Sequence, residues 1–189
     1  MKEVEIKLRV VDCALVARRL AEMGWRARGN RDLERNLVYD EPDGTLKAAG
    51  CLLRVRDSGG RCRLTLKLPV DDASAHKVRE EHEIEASDYA ALRRILEGLG
   101  YAVAWRYEKY RTYFERANAA GEVSLDETPI GDFLELEGEP SWIDRTAVEL
   151  GYSKVDYITV TYGELFEAYR TRNRQIGGDM VFPGDGESV

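Results

Sequence analysis

Apolar and polar residues alternate with period two through most of the chain, and the alternation switches to helical spacing at a few places. In residues 2–10, Val4, Ile6 and Leu8 form one face of a strand, with Glu3, Glu5 and Lys7 on the other, because successive side chains of a strand point to opposite faces. Asp12 is a plausible N-cap for an amphipathic helix over 14–23, which Gly24 ends. Strands are expected at 25–30 and 33–39, and Glu41-Pro42-Asp43-Gly44 supplies a turn. Segments 51–56 and 61–68, joined by Asp57-Ser58-Gly59-Gly60, read as a hairpin. Residues 70–75 read as a loop, and 77–85 as a strand leading into a helix capped by Ser87 or Asp88 that ends at Gly98 or Gly100. This strand-then-helix unit echoes the first one. Strands near 101–115, 122–126 and 133–137 follow, the last two joined by Thr128-Pro129-Ile130-Gly131, and helices over 141–150 and 162–172 close the chain. The glycines and Pro183 after residue 176 predict a flexible tail over 176–189, leaving 1–175 as a single domain.

The polar face of these strands is unusual. Arg54 and Arg56, Thr65 and Lys67, Arg79 with Glu81, Glu83 and Glu85, Lys109 with Arg111, and Glu135 with Glu137 all repeat the two-residue spacing opposite a Val/Ile/Leu face. A sheet with one solvated face spreads its polar residues without such order. Any one pair fits a solvated strand with cross-strand ion pairs that contribute little. The whole series, strand after strand, fits a closed sheet with a charged lumen. The predicted fold is α+β: an antiparallel closed β-barrel of about eight strands with a charged interior, flanked by helices.

In order along the chain, Glu-x-Glu-x-Lys (3–7), Leu-Arg-x-Arg (53–56), Thr-x-Lys (65–67), Arg-Glu-Glu-x-Glu (79–83), Lys-x-Arg (109–111) and Phe-x-Glu-x-Glu (133–137) resemble the CYTH family of triphosphate tunnel enzymes. That family groups class IV adenylyl cyclases, thiamine triphosphatases and inorganic tripolyphosphatases, and the resemblance runs over about residues 3–169. It implies that Glu3, Glu5, Glu135 and Glu137 belong to a metal-binding set, and that Lys7, Arg54, Arg56, Lys67, Lys109 and Arg111 grip phosphates. The chain departs from the family pattern at one point. Many relatives carry a lysine before the small-residue-Tyr pair that opens the last helix, and here Val160 holds that place, with Lys154 the nearest upstream candidate to replace it.

Charge alone leads to the same division. A triphosphate carries negative oxygens along a line, which forked arginines and compact lysine ammoniums on rigid strands can match. Acids facing a polyphosphate would repel it unless a divalent cation lies between, and all-oxygen donors suit Mg²⁺ or Mn²⁺. Glu135 and Glu137 lead as ligands, then Glu5 and Glu83, with Asp126 and Glu3 also in reach. Catalytic work is assigned to Glu5, Lys7, Glu83 and Asp126. The expected activity is metal-dependent hydrolysis of a triphosphate-containing small molecule: inorganic tripolyphosphate, thiamine triphosphate or a nucleoside triphosphate. Its alternatives are adenylyl cyclisation of ATP and binding of polyphosphate without chemistry.

Bulk properties narrow the setting. The 189 residues carry a net charge of −7, which speaks against general nucleic-acid binding. Three cysteines, Cys13, Cys51 and Cys62, without paired spacing read as reduced thiols. No apolar run reaches the ~20 residues needed to span a bilayer, so the expected place is the cytoplasm, without membrane partners, as a single chain or a homodimer. His76 and His82 lack metal-ligand spacing, and His82 falls on the face opposite Glu81 and Glu83. Trp25, Trp105 and Trp142 read as core anchors, while Tyr107 and Tyr113 share the Lys109/Arg111 face.

Overall fold

The computed structural model describes residues 2–71, 75–173 and 177–184. Eight antiparallel strands close into a barrel in the order β1-β5-β4-β3-β2-β6-β7-β8, with β8 returning to β1. They are β1 (Lys2–Val10), β2 (Arg26–Asp40), β3 (Leu52–Ser58), β4 (Arg61–Pro69), β5 (Lys77–Ala86), β6 (Ala102–Glu115), β7 (Gly121–Thr128) and β8 (Gly131–Gly138). Five helices flank the barrel: α1 (Cys13–Glu22), α2 (Thr45–Ala48), α3 (Tyr89–Gly98), α4 (Pro140–Glu149) and α5 (Tyr162–Arg172).

The two strand-helix units are built alike. The Asp12 carboxylate accepts a hydrogen bond from the Leu15 amide at 3.0 Å to start α1, and Asp88 accepts from Ala91 at 2.8 Å to start α3. Each helix ends at a glycine with positive φ, Gly24 at 83° and Gly100 at 96°, which lets the chain reverse into a long strand. Those two strands, β2 and β6, then pair with each other.

The apolar faces of the strands point outward and are covered by the helices. Ile6, Leu8, Leu134 and Leu136 are fully buried with Leu20, Trp25, Trp142 and Ile143 in the largest cluster, each such side chain contributing about 1.5–3 kcal/mol. A second cluster sets Leu37, Leu53 and Val55 against Leu92 and Leu96 of α3. Gly121 and Gly138 sit where the β7-β8 pair meets Trp142. A Cβ at Gly121 would lie within 2.5 Å of that ring. A third cluster lies at one end of the barrel, where Tyr162 and Phe166 of α5 pack on Tyr107, Phe133, Ile130 and Met180.

Three features differ from the sequence reading. Segments 25–30 and 33–39 form one strand, β2, because Gly29 adopts φ 75° at an irregularity between Arg28 and Asp32 and the ladder to β6 resumes beyond it. The turn after β2 carries the short helix α2, whose Leu46 and Lys47 amides donate to the buried Asp40 carboxylate at 2.8 and 3.0 Å. The expected flexible tail is docked in its described part, 177–184. Met180 is fully buried and bridges in parallel to Tyr107, the Phe182 ring lies against Tyr110, and the Phe182 amide donates to Glu108. Residues 72–74 of the expected loop, and 174–176 and 185–189 of the tail region, lie outside the described residues.

Candidate active site: the charged lumen

Every residue singled out from the two-residue spacing lies on the inner face. Direct cross-strand partners share a face, and the register pairs Glu5 with Glu137, Lys7 with Glu135, Lys109 with Glu34, Arg111 with Asp126, Arg54 with Thr65, Thr65 with Glu83 and Lys67 with Glu81. Strand order places the acids of β1 and β8 across the barrel from Arg54 and Arg56 of β3, so an acidic wall faces an arginine wall.

Most of the inner charges are buried and paired, while Glu83 and Glu85 are exposed towards the end of β5. Lys7 and Lys109 are each 2% exposed, and Asp126 is 0% exposed. Asp126 accepts from Lys109 at 2.7 Å, from Arg111 through two bonds of 2.6 Å, and from the Tyr162 hydroxyl at 2.7 Å. Arg111 also bonds Glu135. Arg56 reaches Glu34 at 3.1 Å and Asn36 at 3.0 Å, while Arg54 donates to the Tyr107 oxygen at 3.2 Å and to Thr65 at 3.1 Å. Lys67 bonds Glu3 at 2.5 Å and lies 3.4 Å from Glu81. Glu83 sits nearer the rim, accepting from Thr65 at 2.9 Å and pairing with Arg63 at 3.3 Å. Two polar atoms of the lumen, Arg54 Nε and Glu34 Oε2, are buried without a hydrogen bond, an arrangement that a bound anion and cation would satisfy.

Charge crowding sets the acidities. Burial would raise Glu34, but Arg56 and Lys109 hold it down to about 2. Glu5 and Glu135, although buried, are held well below the usual carboxylate range, Glu5 by Lys7 and Lys77 and Glu135 by Arg111 and Lys109. Glu137 behaves oppositely: burial, then Glu3 and Glu5, push it up to about 8. Tyr107, buried beside Arg54, Arg56 and Lys109, is brought down to about 8. Tyr162 is raised well above its ordinary value by burial and by Asp126 and Glu135.

One end of the lumen is plugged. Tyr162, the first residue of α5, inserts its ring beside Lys7 and Lys109, each ammonium 5.1 Å from the ring centroid, and a Thr161/Glu164 capping box fixes that helix start. Along the inner face of β6 the order is Trp105, Tyr107, Lys109, Arg111, Tyr113, so Tyr113 marks the far end. There a cavity of about 540 Å³ is lined by Arg28, Asp32, Glu34, Arg56, Arg63 and Tyr113.

The donor set of the acidic wall fits a hard divalent cation. Glu3, Glu5 and Glu137 supply oxygen ligands only, and Glu137, which makes no ion pair among the described residues, is the carboxylate whose ionisation most needs a cation. Among the described residues no three metal-ligand side chains converge as they stand. Glu3 is engaged by Lys67 and Glu5 by Lys7 and Lys77, so a cation would have to displace ammoniums.

Sequence reasoning missed Glu34, Asn36, Lys77 and Tyr162 as lumen residues. Glu34 and Asn36 face Lys109 and Arg56 across the ladder but lie in a run polar on both faces, Lys77 is the first residue of its strand, and Tyr162 opens a helix outside any strand spacing. Lys154 does not reach the lumen. It is exposed and pairs with Asp144 of α4 at 2.8 Å, and Val160 is itself 40% exposed. His82 is exposed beside Glu80, as its face predicts. No helix among the described residues is long and apolar enough to cross a membrane.

Comparison with known proteins agrees with this architecture. A Methanocaldococcus jannaschii protein named "putative adenylate cyclase" is 30% identical over 146 residues, covering 77% of this chain and 81% of its own. Two solved structures share the fold. One, from Vibrio parahaemolyticus and carrying the same name, has a TM-score of 0.76 at 20% identity, covering 87% of this chain and 97% of its own. The other, a Hippeastrum protein described as an adenylyl cyclase of that kind with a dominant triphosphatase activity, has a TM-score of 0.61 at 20% identity over 90% and 96% of the two chains. The model of the CYTH domain matches residues 1–162, the whole barrel together with the residue that plugs it, and the chain belongs to the CYTH domain family.

Proposed function

We propose that the barrel hydrolyses a triphosphate-containing small molecule with the help of Mg²⁺ or Mn²⁺. The observation that carries this reading is the pair of opposed walls, Glu3, Glu5 and Glu137 against Arg54 and Arg56, with lysines between them in a lumen plugged at one end. A linear anion of phosphate length fits such a slot. Arg54 and Arg56 would fork onto phosphate oxygens, and Lys7, Lys67 and Lys109 would act as point charges along the chain. Asp126, with Lys109, Arg111 and Tyr162 already on it, has a positioning part, and Glu83 steadies Arg54 through Thr65. Glu3, Glu5 and Glu137, with Glu135 beside them, would hold the metal. When bound, Mg²⁺ or Mn²⁺ would offset the acid-phosphate repulsion and make a water acidic enough to serve as nucleophile. The Hippeastrum structure, described by a dominant triphosphatase activity, supports hydrolysis as the leading reading.

Phosphate release from tripolyphosphate, thiamine triphosphate and nucleoside triphosphates, with each metal, tests the proposal. Orthophosphate from at least one is expected, and no release from any would overturn it. The name of the Methanocaldococcus relative favours a second reading, cyclisation of ATP. Chromatography separates its products, cyclic AMP and pyrophosphate, from ADP and orthophosphate. Tight tripolyphosphate binding with no turnover would instead point to a binding module, the outcome that Val160 in the lysine position favours.

A further inference from the structure

We propose that Lys77 is an additional phosphate-contacting residue at the plugged end of the lumen, positioned by a tie between His76 and Asp144. The inference rests on the triphosphate reading of the same lumen.

Lys77 opens β5 and faces Glu5 across the β1-β5 ladder. Its ammonium lies 2.6 Å from Glu5 Oε1, and the Lys7 ammonium lies 3.0 Å from that same oxygen. Lys7 has a second acid, Glu135, at 3.7 Å, whereas Glu5 is the carboxylate that engages Lys77. Because Glu135 is also bonded by Arg111, Glu5 is left as the carboxylate shared by two ammoniums, and an incoming phosphate oxygen can take up the remaining positive charge. The place is beside the plug. Lys7 is bridged to Ile158 just ahead of α5, and Lys77 acts electrostatically on Glu164 in the first turn of that helix. A linear anion entering from the Tyr113 end therefore meets Lys77 with its innermost phosphate.

The start of β5 is pinned from outside the barrel. The buried His76 ring bonds Asp144 of α4 at 2.9 Å and lies against Tyr157, whose hydroxyl donates to the same carboxylate at 3.0 Å. That clamp fixes the backbone one residue before Lys77, so a flexible side chain is delivered from a fixed point. Lys77 and this clamp lie outside every motif of the charged faces described above.

Calorimetric binding of tripolyphosphate in EDTA, where no chemistry runs, tests the proposal. Lys77→Met, which keeps the length of the chain and removes its charge, should weaken binding by about tenfold to a hundredfold, the loss of one charge-assisted contact, and Lys77→Arg should restore most of it. In turnover, Lys77→Met should raise KM more than it lowers kcat. His76→Ala should weaken binding less, should add little to Lys77→Met in the double variant, and should be rescued by His76→Gln. If the parent protein binds no tripolyphosphate in EDTA and releases no orthophosphate with Mg²⁺ or Mn²⁺, the triphosphate reading fails and this inference with it; if it turns over triphosphate with metal but binds none in EDTA, KM with Mg²⁺ replaces affinity as the readout for every variant. If the parent binds and Lys77→Met binds equally well, Lys77 is a structural partner of Glu5 and only this inference is overturned. If His76→Ala lowers stability but not affinity, the positioning tie is overturned while Lys77 stands or falls on its own variants.

Discussion

Glu137→Gln in the metal-free protein should make the barrel more stable at pH 8 than the parent, and hardly change it at pH 5. The carboxyl moves from an ordinary 4.5 to about 8 because burial, Glu3 and Glu5 all disfavour its charge. In the folded state it stays protonated at pH values where the unfolded chain has already ionised. Its contribution is therefore complete below 4.5 and is lost as pH rises through the window to about 8. At about 1.36 kcal/mol per pH unit, that window sets a ceiling of about 5 kcal/mol. Glu137 is only half-buried, and water screening reduces the effect to about 2 kcal/mol. For a chain of this size that is a difference of about 4–8 °C in Tm.

Gln is neutral at every pH and keeps the shape. The Tm of Glu137→Gln minus that of the parent, measured by thermal unfolding in EDTA, should accordingly grow from near zero at pH 5 to about 4–8 °C at pH 8. The acids that cations hold low, Glu5, Glu34 and Glu135, act elsewhere: their stabilisation is present above the ordinary value of 4.5 and lost as pH falls below it. If the two proteins kept a constant Tm difference from pH 5 to pH 8, Glu137 would not be a strained carboxyl, and the acidic wall would lose its main reason to bind a cation.

Other outcomes follow from the same lumen. Arg56→Ala should weaken tripolyphosphate binding by about tenfold or more in calorimetry, and it should cost about 3 kcal/mol of stability in urea unfolding because Glu34 loses its closest cation, a loss that Glu34→Gln in the same chain should partly relieve. Tyr162→Phe, which removes the hydroxyl from Asp126, should cost about 1–3 kcal/mol by the same assay. Gly121→Ala should destabilise by about 1–3 kcal/mol or more, since the added methyl meets the Trp142 ring and the Glu137 carbonyl. Met180→Ala should lower stability by about 2–5 kcal/mol and raise the hydrogen exchange of the Glu108 amide, which donates to the Met180 carbonyl.

The lumen was legible because a strand's period of two turns face into sequence spacing. Once Glu3, Glu5 and Lys7 are assigned to one face, each later pair at the same spacing joins it, and the observed register keeps all of them inside. What escaped has a physical reason in each case. Arg31-Asp32-Leu33-Glu34-Arg35-Asn36 is polar on both faces because its outer side chains are also charged, Arg35 pairing with Glu108, so no alternation marks Glu34 as interior. The strand expected over 25–30 runs on into the next one, because Gly29 sits at an irregularity that the β6 ladder spans. Met180 sits among glycines and a proline, a composition that normally signals a mobile tail.

Met180 is nonetheless buried, and the reason lies in the barrel and not in the tail. Strand β7 pairs with β6 only from Tyr110 onward, which leaves the Glu108 amide and the Arg106 carbonyl on that edge without a β7 partner. An unpaired strand edge next to an apolar cluster is costly. The tail supplies both missing bonds, at 2.8 and 3.0 Å, and sets one apolar side chain into the cluster that also holds Tyr107 and Tyr162. The same cluster seats the plug residue against the lysines of the lumen. The docking of residues 177–184 thus follows from a gap in the wall that only the folded barrel creates. Local composition describes a segment by itself, and it fails where a distant strand edge decides the outcome.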